Sequence, residues 1–118
     1  MYQTACLYGI KNCDTVKQAR NWLDDNGISH LFHDFRANGL NREKVGEWLS
    51  KVSGENLLNK RGTTWRKLDA DSRKRAEGAN LVDLLVENPT LIKRPVLEHK
   101  DQIMVGFTPQ LYAALFQK

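Results

Sequence analysis

The chain has 118 residues, of which 41% are hydrophobic and 27% charged, ordinary proportions for one globular domain with its own core. No apolar run approaches the length of a membrane span, and the first residues lack the charged-then-apolar pattern of a signal peptide. Two cysteines do not make a disulfide framework. These features argue against a disulfide-stapled secreted fold and predict a protein of the reducing cytoplasm.

The net charge of +4 is concentrated in one segment. Residues 60–75 carry two acidic side chains and seven basic ones, which are Lys60, Arg61, Arg66, Lys67, Arg73, Lys74 and Arg75. Such a segment can face an anionic ligand, a nucleic acid or water, and a solvated helical face is the favoured interpretation of the run 73–75. Because Trp65 is the only aromatic residue within the segment, the pattern argues against nucleic-acid binding.

The first part of the chain predicts a β-α-β unit. Residues 2–8 are short and apolar, which indicates a buried strand, and residues 13–26 follow as a helix closed by Gly27. The apolar face of this helix consists of Val16, Ala19 and Leu23. Residues 28–35 alternate well enough for a second strand, and the helical crossover makes the two strands parallel.

The middle of the chain predicts helices. Asn41 is a candidate N-cap for a helix that ends at Gly54. Its apolar positions recur at helical spacing and are Val45, Trp48, Leu49 and Val52. Residues 55–68 suit one helical turn or two, with a Leu-Leu pair as an apolar anchor. Asn80 is a candidate cap for a further helix that must stop before Pro89.

The last part of the chain predicts two strands and a helix. Residues 95–99 and 102–107 read as an antiparallel hairpin with Lys100-Asp101 at its turn. Thr108 is a candidate N-cap, and Pro109 suits the first position of the closing helix. The whole order is β-α-β, helices, then β-β-α. We therefore expect an α/β thioredoxin-like fold with an all-helical insertion between its two halves.

The expected domain organisation follows from the same order of elements. Residues 1–118 are predicted to form a single domain, because no linker, repeat or low-complexity tract divides them. The helical insertion is expected at roughly residues 40–93.

Cys13 is the candidate nucleophile, because it lies between the first strand and the first helix. Unpaired N–H groups and the positive end of the helix dipole stabilise a thiolate over a thiol at such a position. Lys11 adds a cation, whereas the carboxylate of Asp14 opposes the thiolate if it points at the sulfur. The polar neighbours Asn12 and Asp14 also argue against an apolar environment. This arrangement is typical of enzymes that use a nucleophilic sulfur.

Arg94-Pro95 is the second candidate element of a site. Proline at a strand start cannot donate to the ladder and often marks a special turn, although a trans-proline that simply ends the preceding helix is the alternative. Arg94 brings a permanent cation with a planar donor fork. Cys6, flanked by apolar residues within a strand, is expected to be an inert core residue. Because Cys6 and Cys13 form no Cys-x-x-Cys pair, a disulfide cycle needs an outside thiol such as glutathione.

Three motifs occur in order along the chain. They are Tyr-Gly-Ile-Lys-Asn-Cys-Asp-Thr at 8–15, Asn-Lys-Arg-Gly-Thr-Thr-Trp-Arg-Lys-Leu at 59–68 and Ile-Lys-Arg-Pro at 92–95. Together they resemble the arsenate reductase (ArsC) family, and more closely its YffB branch, relatives of the Spx regulators. The resemblance covers essentially the full chain.

The resemblance implies a glutathione-dependent thiol–disulfide oxidoreductase with a cis peptide bond before Pro95. Cys13 is then the catalytic nucleophile, and the residues expected to bind glutathione or another anion are Lys11, Asn12, Arg61, Arg94 and Pro95. No cofactor is expected to be bound, because glutathione serves as co-substrate. The implied partners are glutathione, a small disulfide or anionic substrate, and glutaredoxin.

Arsenate reduction is the alternative activity. Arsenate reductases supply three arginines around the cysteine, and Arg94 matches one of them. The second falls at Asn59, with Arg61 two places later as a stand-in. The third falls near Gly106-Phe107, where this chain has no arginine. A trianion needs charge-matched donors, so the pattern favours another substrate.

A non-enzymatic regulator that binds RNA polymerase, as Spx does, is the alternative from another class. The Cys-x-x-Cys of the Spx regulators is missing, because the residues three before and three after Cys13 are Ile10 and Val16. This absence and the Arg94-Pro95 pair favour the enzyme.

The three histidines have no metal-ligand spacing, so no metal site is predicted.

Overall fold

A computed structural model describes residues 4–118. The chain divides into two compact units, one formed by the residues up to Asp34 together with Arg94–Lys118, the other by Phe35–Lys93. The second unit corresponds to the predicted insertion. That all 118 residues form one domain stays a prediction. Within residues 4–118 no helix combines the length and apolar character needed to cross a membrane.

The described residues form four strands and eight α-helices, with 3₁₀ turns at Gly78–Asn80 and Pro89–Leu91. In chain order the elements are β1 (Ala5–Gly9), α1 (Asp14–Asp25), β2 (His30–Asp34), α2 (Phe35–Asn38), α3 (Arg42–Lys51), α4 (Gly54–Leu57), α5 (Thr63–Lys67), α6 (Ala70–Lys74), α7 (Leu81–Glu87), β3 (Val96–His99), β4 (Gln102–Val105) and α8 (Pro109–Phe116).

The first unit contains a mixed sheet with the strand order β2-β1-β3-β4. β1 and β2 are parallel, whereas β1–β3 and β3–β4 are antiparallel. The predicted β-α-β and β-β-α halves are therefore confirmed, and the fold is thioredoxin-like. The core between the sheet and its helices consists of Ala5, Leu7, Val16, Ala19, Leu23, Leu97 and Tyr112.

The second unit has its own buried apolar residues. Trp48 of α3 is fully buried and lies 6.4 Å from the ring of Phe35 between centroids. Leu58 and Ile92 form an isolated antiparallel bridge, and Lys93 N–H donates to Leu57 O at 2.8 Å. These contacts join the end of α4 to the last residues of the second unit.

Several predicted boundaries were wrong by a few residues. The strand predicted over 2–8 is observed over Ala5–Gly9, and residues 2 and 3 lie outside the described part. The helix predicted to run from the Asn41 cap to Gly54 ends at Lys51, because Ser53 caps a new helix by accepting from Asn56 N–H at 3.2 Å. β4 ends at Val105, because Gly106 turns the chain with φ +82°.

One predicted role of a side chain needs correction. Asn80 makes no capping hydrogen bond, because it already has helical dihedral angles as the end of a 3₁₀ turn. The run 73–75 lies at the surface, as predicted, and there Arg75 forms an ion pair with Glu87 and Arg73 donates to main-chain carbonyls. The caps Asn41 and Thr108 are confirmed by bonds from main-chain N–H groups at 2.8 and 3.1 Å.

His99, at the end of β3, lies in a partly buried environment that disfavours its charged form. Burial, and secondarily the charge of Lys100, lowers the pKa of His99 below its ordinary value. Its Nδ1 is buried with no hydrogen-bond partner among the described residues, and its ring lies 4.7 Å from that of Phe116. The unfolded chain therefore takes up this proton at a higher pH than the folded chain, so acidification through the unfolded value favours unfolding.

We expect the midpoint of thermal unfolding to fall as the pH drops below about 6.5, the pKa of an unperturbed histidine. Above this pH the imidazole is neutral in both the folded and the unfolded chain, so the contribution of His99 to stability is fully present. His99→Gln removes this titration and should flatten the pH dependence. Thermal melts at several pH values in both proteins measure the difference. Identical slopes in the two proteins would contradict the assignment.

Candidate active site

The turn between β1 and α1 places Cys13 at the start of the helix. Gly9 ends β1 where strand and helix approach closely, because a Cβ atom at this position would lie 2.7 Å from Cγ2 of Val16. Cys13 N–H donates to Ile10 O at 3.4 Å, and Cys13 O accepts from Lys17 N–H at 3.0 Å. Cys13 is thus the N-cap residue of α1, as its position in the sequence predicts.

The side chain of Cys13 is half-buried and packs against the core of the first unit. Its sulfur makes no capping hydrogen bond, so the first N–H groups of α1 are not satisfied by their own cap residue. These groups and the helix dipole favour negative charge at this point, whereas Asp14 in the first turn opposes it. The arrangement suits a thiolate that keeps one side accessible to a reactant.

Arg94-Pro95 lies at the same edge of the sheet. β1 and β3 are antiparallel with Tyr8 opposite Val96, so the end of β1 and the start of β3 come together. The peptide bond between Arg94 and Pro95 is cis, as the family resemblance implies. Pro95 is buried, and its carbonyl accepts from Gly106 N–H at 2.8 Å. The sheet thus brings the segment after β1, the start of β3 and the end of β4 to one edge.

The guanidinium of Arg94 has no counter-ion among the residues that the structure describes. Its side chain is half-buried, and it forms no ion pair with any carboxylate among residues 4–118. A partly desolvated arginine without a carboxylate is suited to an anionic ligand, because guanidinium–oxyanion hydrogen bonds are stronger than neutral ones. Arg94 and Cys13 can therefore serve one site that combines a nucleophile with an anion-binding group.

The other predicted anion-binding residues are distributed between the two units. Lys11 and Asn12 are exposed in the turn that leads to Cys13. Arg61 is exposed in the second unit, where it lines a cavity of about 320 Å³ with Asn59, Lys60 and others. Its main-chain N–H donates to Asn59 Oδ1 at 3.0 Å. A role for Lys11, Asn12 and Arg61 in binding stays a prediction.

Cys6 is not a fully buried core residue. It is half-buried in β1, and it lies opposite Glu98 of β3. On the same face of the sheet, the Tyr8 hydroxyl donates to Glu98 Oε1 at 3.0 Å. Burial raises the pKa of Tyr8 well above its usual range, and hydrogen bonds with Cys6 and Glu98 add to this. The residue types at positions 6 and 8 gave no sign of this polar cluster, which depends on strand register.

The described histidines, cysteines and carboxylates do not assemble into a metal site. No group of three or more such side chains among residues 4–118 has the geometry to hold a metal ion. His30 Nδ1 instead contacts Ile28 O at 3.1 Å, and its Nε2 lies 4.0 Å from Asp24 Oδ1.

The fold and this edge define a thioredoxin-like protein with a single cysteine at the start of its first helix. The chain belongs to the ArsC family, whose model matches residues 8–115. This confirms the resemblance seen in the three sequence motifs.

Individual relatives agree with this assignment. The solved structure of a protein named YffB (PA3664) is 44% identical and covers 94% of this chain and 97% of its own, with a TM-score of 0.90. The solution structure of an arsenate reductase (ArsC) related protein from Brucella melitensis is 45% identical, covers 100% and 98%, and has a TM-score of 0.76. The global transcriptional regulator Spx of Streptococcus pyogenes is 26% identical over 103 residues, 86% of this chain and 76% of its own.

Proposed function

We propose that the chain is a glutathione-dependent thiol–disulfide oxidoreductase with Cys13 as its nucleophile. The observation that carries the proposal is the single, half-exposed cysteine at the start of α1. It lies on the sheet edge that also holds Arg94, which has no carboxylate partner within residues 4–118. The arsenate reductase related protein, 45% identical over the full chain, supports reductive thiol chemistry. Neither cysteine forms a disulfide, which suits the reducing cytoplasm that we propose for this chain.

The reaction follows from thiol–disulfide exchange. The Cys13 thiolate attacks one sulfur of a disulfide, so a Cys13–sulfur bond forms, the substrate disulfide breaks, and the leaving thiolate takes a proton from solvent. The thiolate of glutathione then attacks the substrate-derived sulfur of the mixed disulfide. This step restores the Cys13 thiolate and releases a glutathione mixed disulfide. The net exchange reduces one half of the substrate at the expense of one glutathione thiol.

In this proposal Arg94 has two effects. Its positive charge stabilises the Cys13 thiolate, and its donor fork binds a carboxylate of glutathione or of the substrate. Lys11 supplies a second cation, and a contribution from Arg61 stays a prediction from the sequence. Because the leaving group and the attacking thiol are both external, the mechanism needs no second cysteine in the chain.

Arg94→Ala is expected to slow alkylation of Cys13 by iodoacetate about tenfold, because one charge-assisted interaction is lost. Arg66→Ala is the matched control, because this exposed arginine of α5 carries the same charge, which solvent screens. Alkylation rates at one pH and ionic strength measure both effects. Equal rates in the two variants would mean that only net charge matters, and Arg94 would lose its role.

Arsenate reduction is the second candidate activity, and we expect it to be weak. The segment after β4 offers Gly106 and Phe107 where arsenate reductases have a third arginine. Loss of one charge-assisted donor corresponds to about tenfold to a hundredfold weaker binding of the oxyanion. Arsenate turnover with glutathione and glutaredoxin, measured beside disulfide turnover, decides between the two. Robust arsenate turnover would contradict the expectation and make arsenate the better substrate.

An arginine introduced at Gly106 would not restore the missing donor cleanly. Gly106 has φ +82°, a conformation that disfavours any side chain, although the space around it is open. Phe107 packs edge-on against Tyr112 with ring centroids 4.7 Å apart, so its replacement disturbs the core. Backbone conformation at Gly106 and side-chain packing at Phe107 therefore both disfavour an arginine at this corner.

A regulator that binds RNA polymerase is the candidate from another class, and the likeness to Spx favours it. A pull-down with polymerase subunits, run beside a glutathione-binding titration, separates the two functions. Polymerase binding without disulfide turnover would replace the enzymatic proposal. Turnover that depends on Cys13, with no polymerase binding, would support the enzyme.

A further inference from the structure

The insertion contains several cations that form no ion pair within the described part of the chain. Among the seven basic residues of 60–75, Arg75 forms an ion pair with Glu87. The remaining six form no ion pair with any carboxylate in the described part of the chain. A bound anion relieves the mutual repulsion within such a cluster. Whether it binds at one specific site depends on where each cation lies and how firmly it is held.

Three of these cations meet at one cleft beside Trp65. Lys60 Nζ lies 5.4 Å, and Arg73 Cζ 5.5 Å, from the centroid of the half-buried indole ring. Cation–π attraction at these distances holds both charges near the ring. The cleft has a volume of about 290 Å³, and Lys74, Glu77 and two alanines complete its lining.

Arg73 is held in place by the main chain. Its Nε and Nη2 donate to Trp65 O at 3.4 and 3.3 Å, and Nη2 also donates to Arg66 O at 3.2 Å. Nη1 makes no hydrogen bond with the described residues, so its two N–H groups remain for a ligand. A guanidinium fixed before binding loses little conformational entropy when an oxyanion docks on its free edge.

We propose that this cleft binds the phosphate group of a small phosphate ester. Three cations, one of them a fixed guanidinium, match an oxyanion of charge near −2 through charge-assisted hydrogen bonds. The volume is larger than phosphate alone requires and is near the lower end for small-ligand sites. Glu77 can accept a hydrogen bond from a hydroxyl group of the ester, and its charge disfavours a longer polyanion.

The site is formed only by residues 60–77, so it does not depend on the thiol chemistry proposed above. The phosphate group could come from a free metabolite or from a nucleotide within a strand. Lys60 and Arg73 lie over the indole, which leaves less of the ring for stacking with a base. The geometry therefore favours the free ester.

The test is a titration of the full chain with phenyl phosphate, inorganic phosphate and a short oligothymidylate at constant ionic strength. The indole N–H signal of Trp65 in ¹H–¹⁵N NMR spectra, assigned with Trp65→Phe, reports binding, and the signals of Trp22 and Trp48 serve as internal controls. We expect a saturable shift of the Trp65 signal with phenyl phosphate, a weaker one with inorganic phosphate, and the same affinities in Cys13→Ser protein.

Matched variants test the lining residues. Lys74→Gln and Lys60→Gln should each weaken phenyl phosphate binding about tenfold, the loss of one charge-assisted contact. Lys67→Gln removes the same charge from an exposed neighbour outside the cleft and should change the affinity less than about twofold. Equal weakening in all three variants, or no saturable shift of the Trp65 signal, would overturn the site. Binding of the oligothymidylate alone would overturn the proposal in favour of a nucleic-acid surface.

Discussion

Replacement of Cys13 by serine is expected to reduce glutathione-dependent turnover of a small disulfide to the uncatalysed rate. The reacting species is a thiolate, and the serine hydroxyl stays protonated at neutral pH and forms no mixed disulfide. Turnover is measured with hydroxyethyl disulfide as substrate and 2-mercaptoethanol, the thiol released in the first exchange, as the detected product. The volume change is small, so the fold should be retained, which thermal unfolding verifies.

Cys6→Ser is the matched control for this experiment. Cys6 is the second cysteine of the chain, and it is also half-buried, but it lies within β1 rather than at a helix start. Turnover should therefore stay close to that of the unmodified protein. Loss of turnover in Cys6→Ser with retention in Cys13→Ser would transfer the chemistry to the polar cluster around Tyr8 and contradict the proposed site.

Trp48→Ala is expected to destabilise the chain by about 3–5 kcal/mol, the usual range for removing a large buried aromatic side chain. Trp48 is fully buried in α3 and contacts the ring of Phe35, so its removal leaves a cavity in the second unit. Urea unfolding followed by circular dichroism measures the change in the free energy of unfolding.

Ser50→Ala, an exposed position in the same helix, is the control and should change the free energy of unfolding by less than about 0.5 kcal/mol. A protein too unstable to fold after Trp48→Ala would agree with the large predicted loss. A loss below about 1 kcal/mol would show that the insertion tolerates the cavity, which is rare for a buried tryptophan.

The sequence allowed the order of the elements to be predicted well. Local backbone chemistry marks the limits of three helices, and all three are observed. α1 ends before Gly27, α7 ends before Pro89, and α8 begins at the Thr108-Pro109 pair. The cap predicted at Asn80 is wrong. The residue type suits a cap, but Asn80 is the last residue of a 3₁₀ turn and therefore already has helical dihedral angles. Boundaries of this kind depend on the neighbouring turn, which residue type alone does not show.

The candidate site was predictable only in part. The local pattern around Cys13 is sufficient to place it at a helix start, and the proline after Arg94 marks a strand start. Their meeting at one edge depends on the pairing of β1 with β3, and therefore on register. Hydrogen bonds between residues far apart in sequence, such as that from Tyr8 to Glu98, could not be predicted, because no local signal encodes them. That Arg94 has no counter-ion among residues 4–118 can likewise be recognised only in the folded chain.

Mass spectrometry of the unmodified protein after treatment with oxidised glutathione shows which cysteine is the nucleophile. Peptide mapping identifies the cysteine that carries the glutathionyl group, because peptides with Cys6 and Cys13 separate after cleavage at Lys11. We predict one glutathionyl group per chain, on Cys13, removed again by reduced glutathione. An adduct on Cys6 alone, or no adduct at either cysteine, would contradict the assignment of Cys13 as the nucleophile.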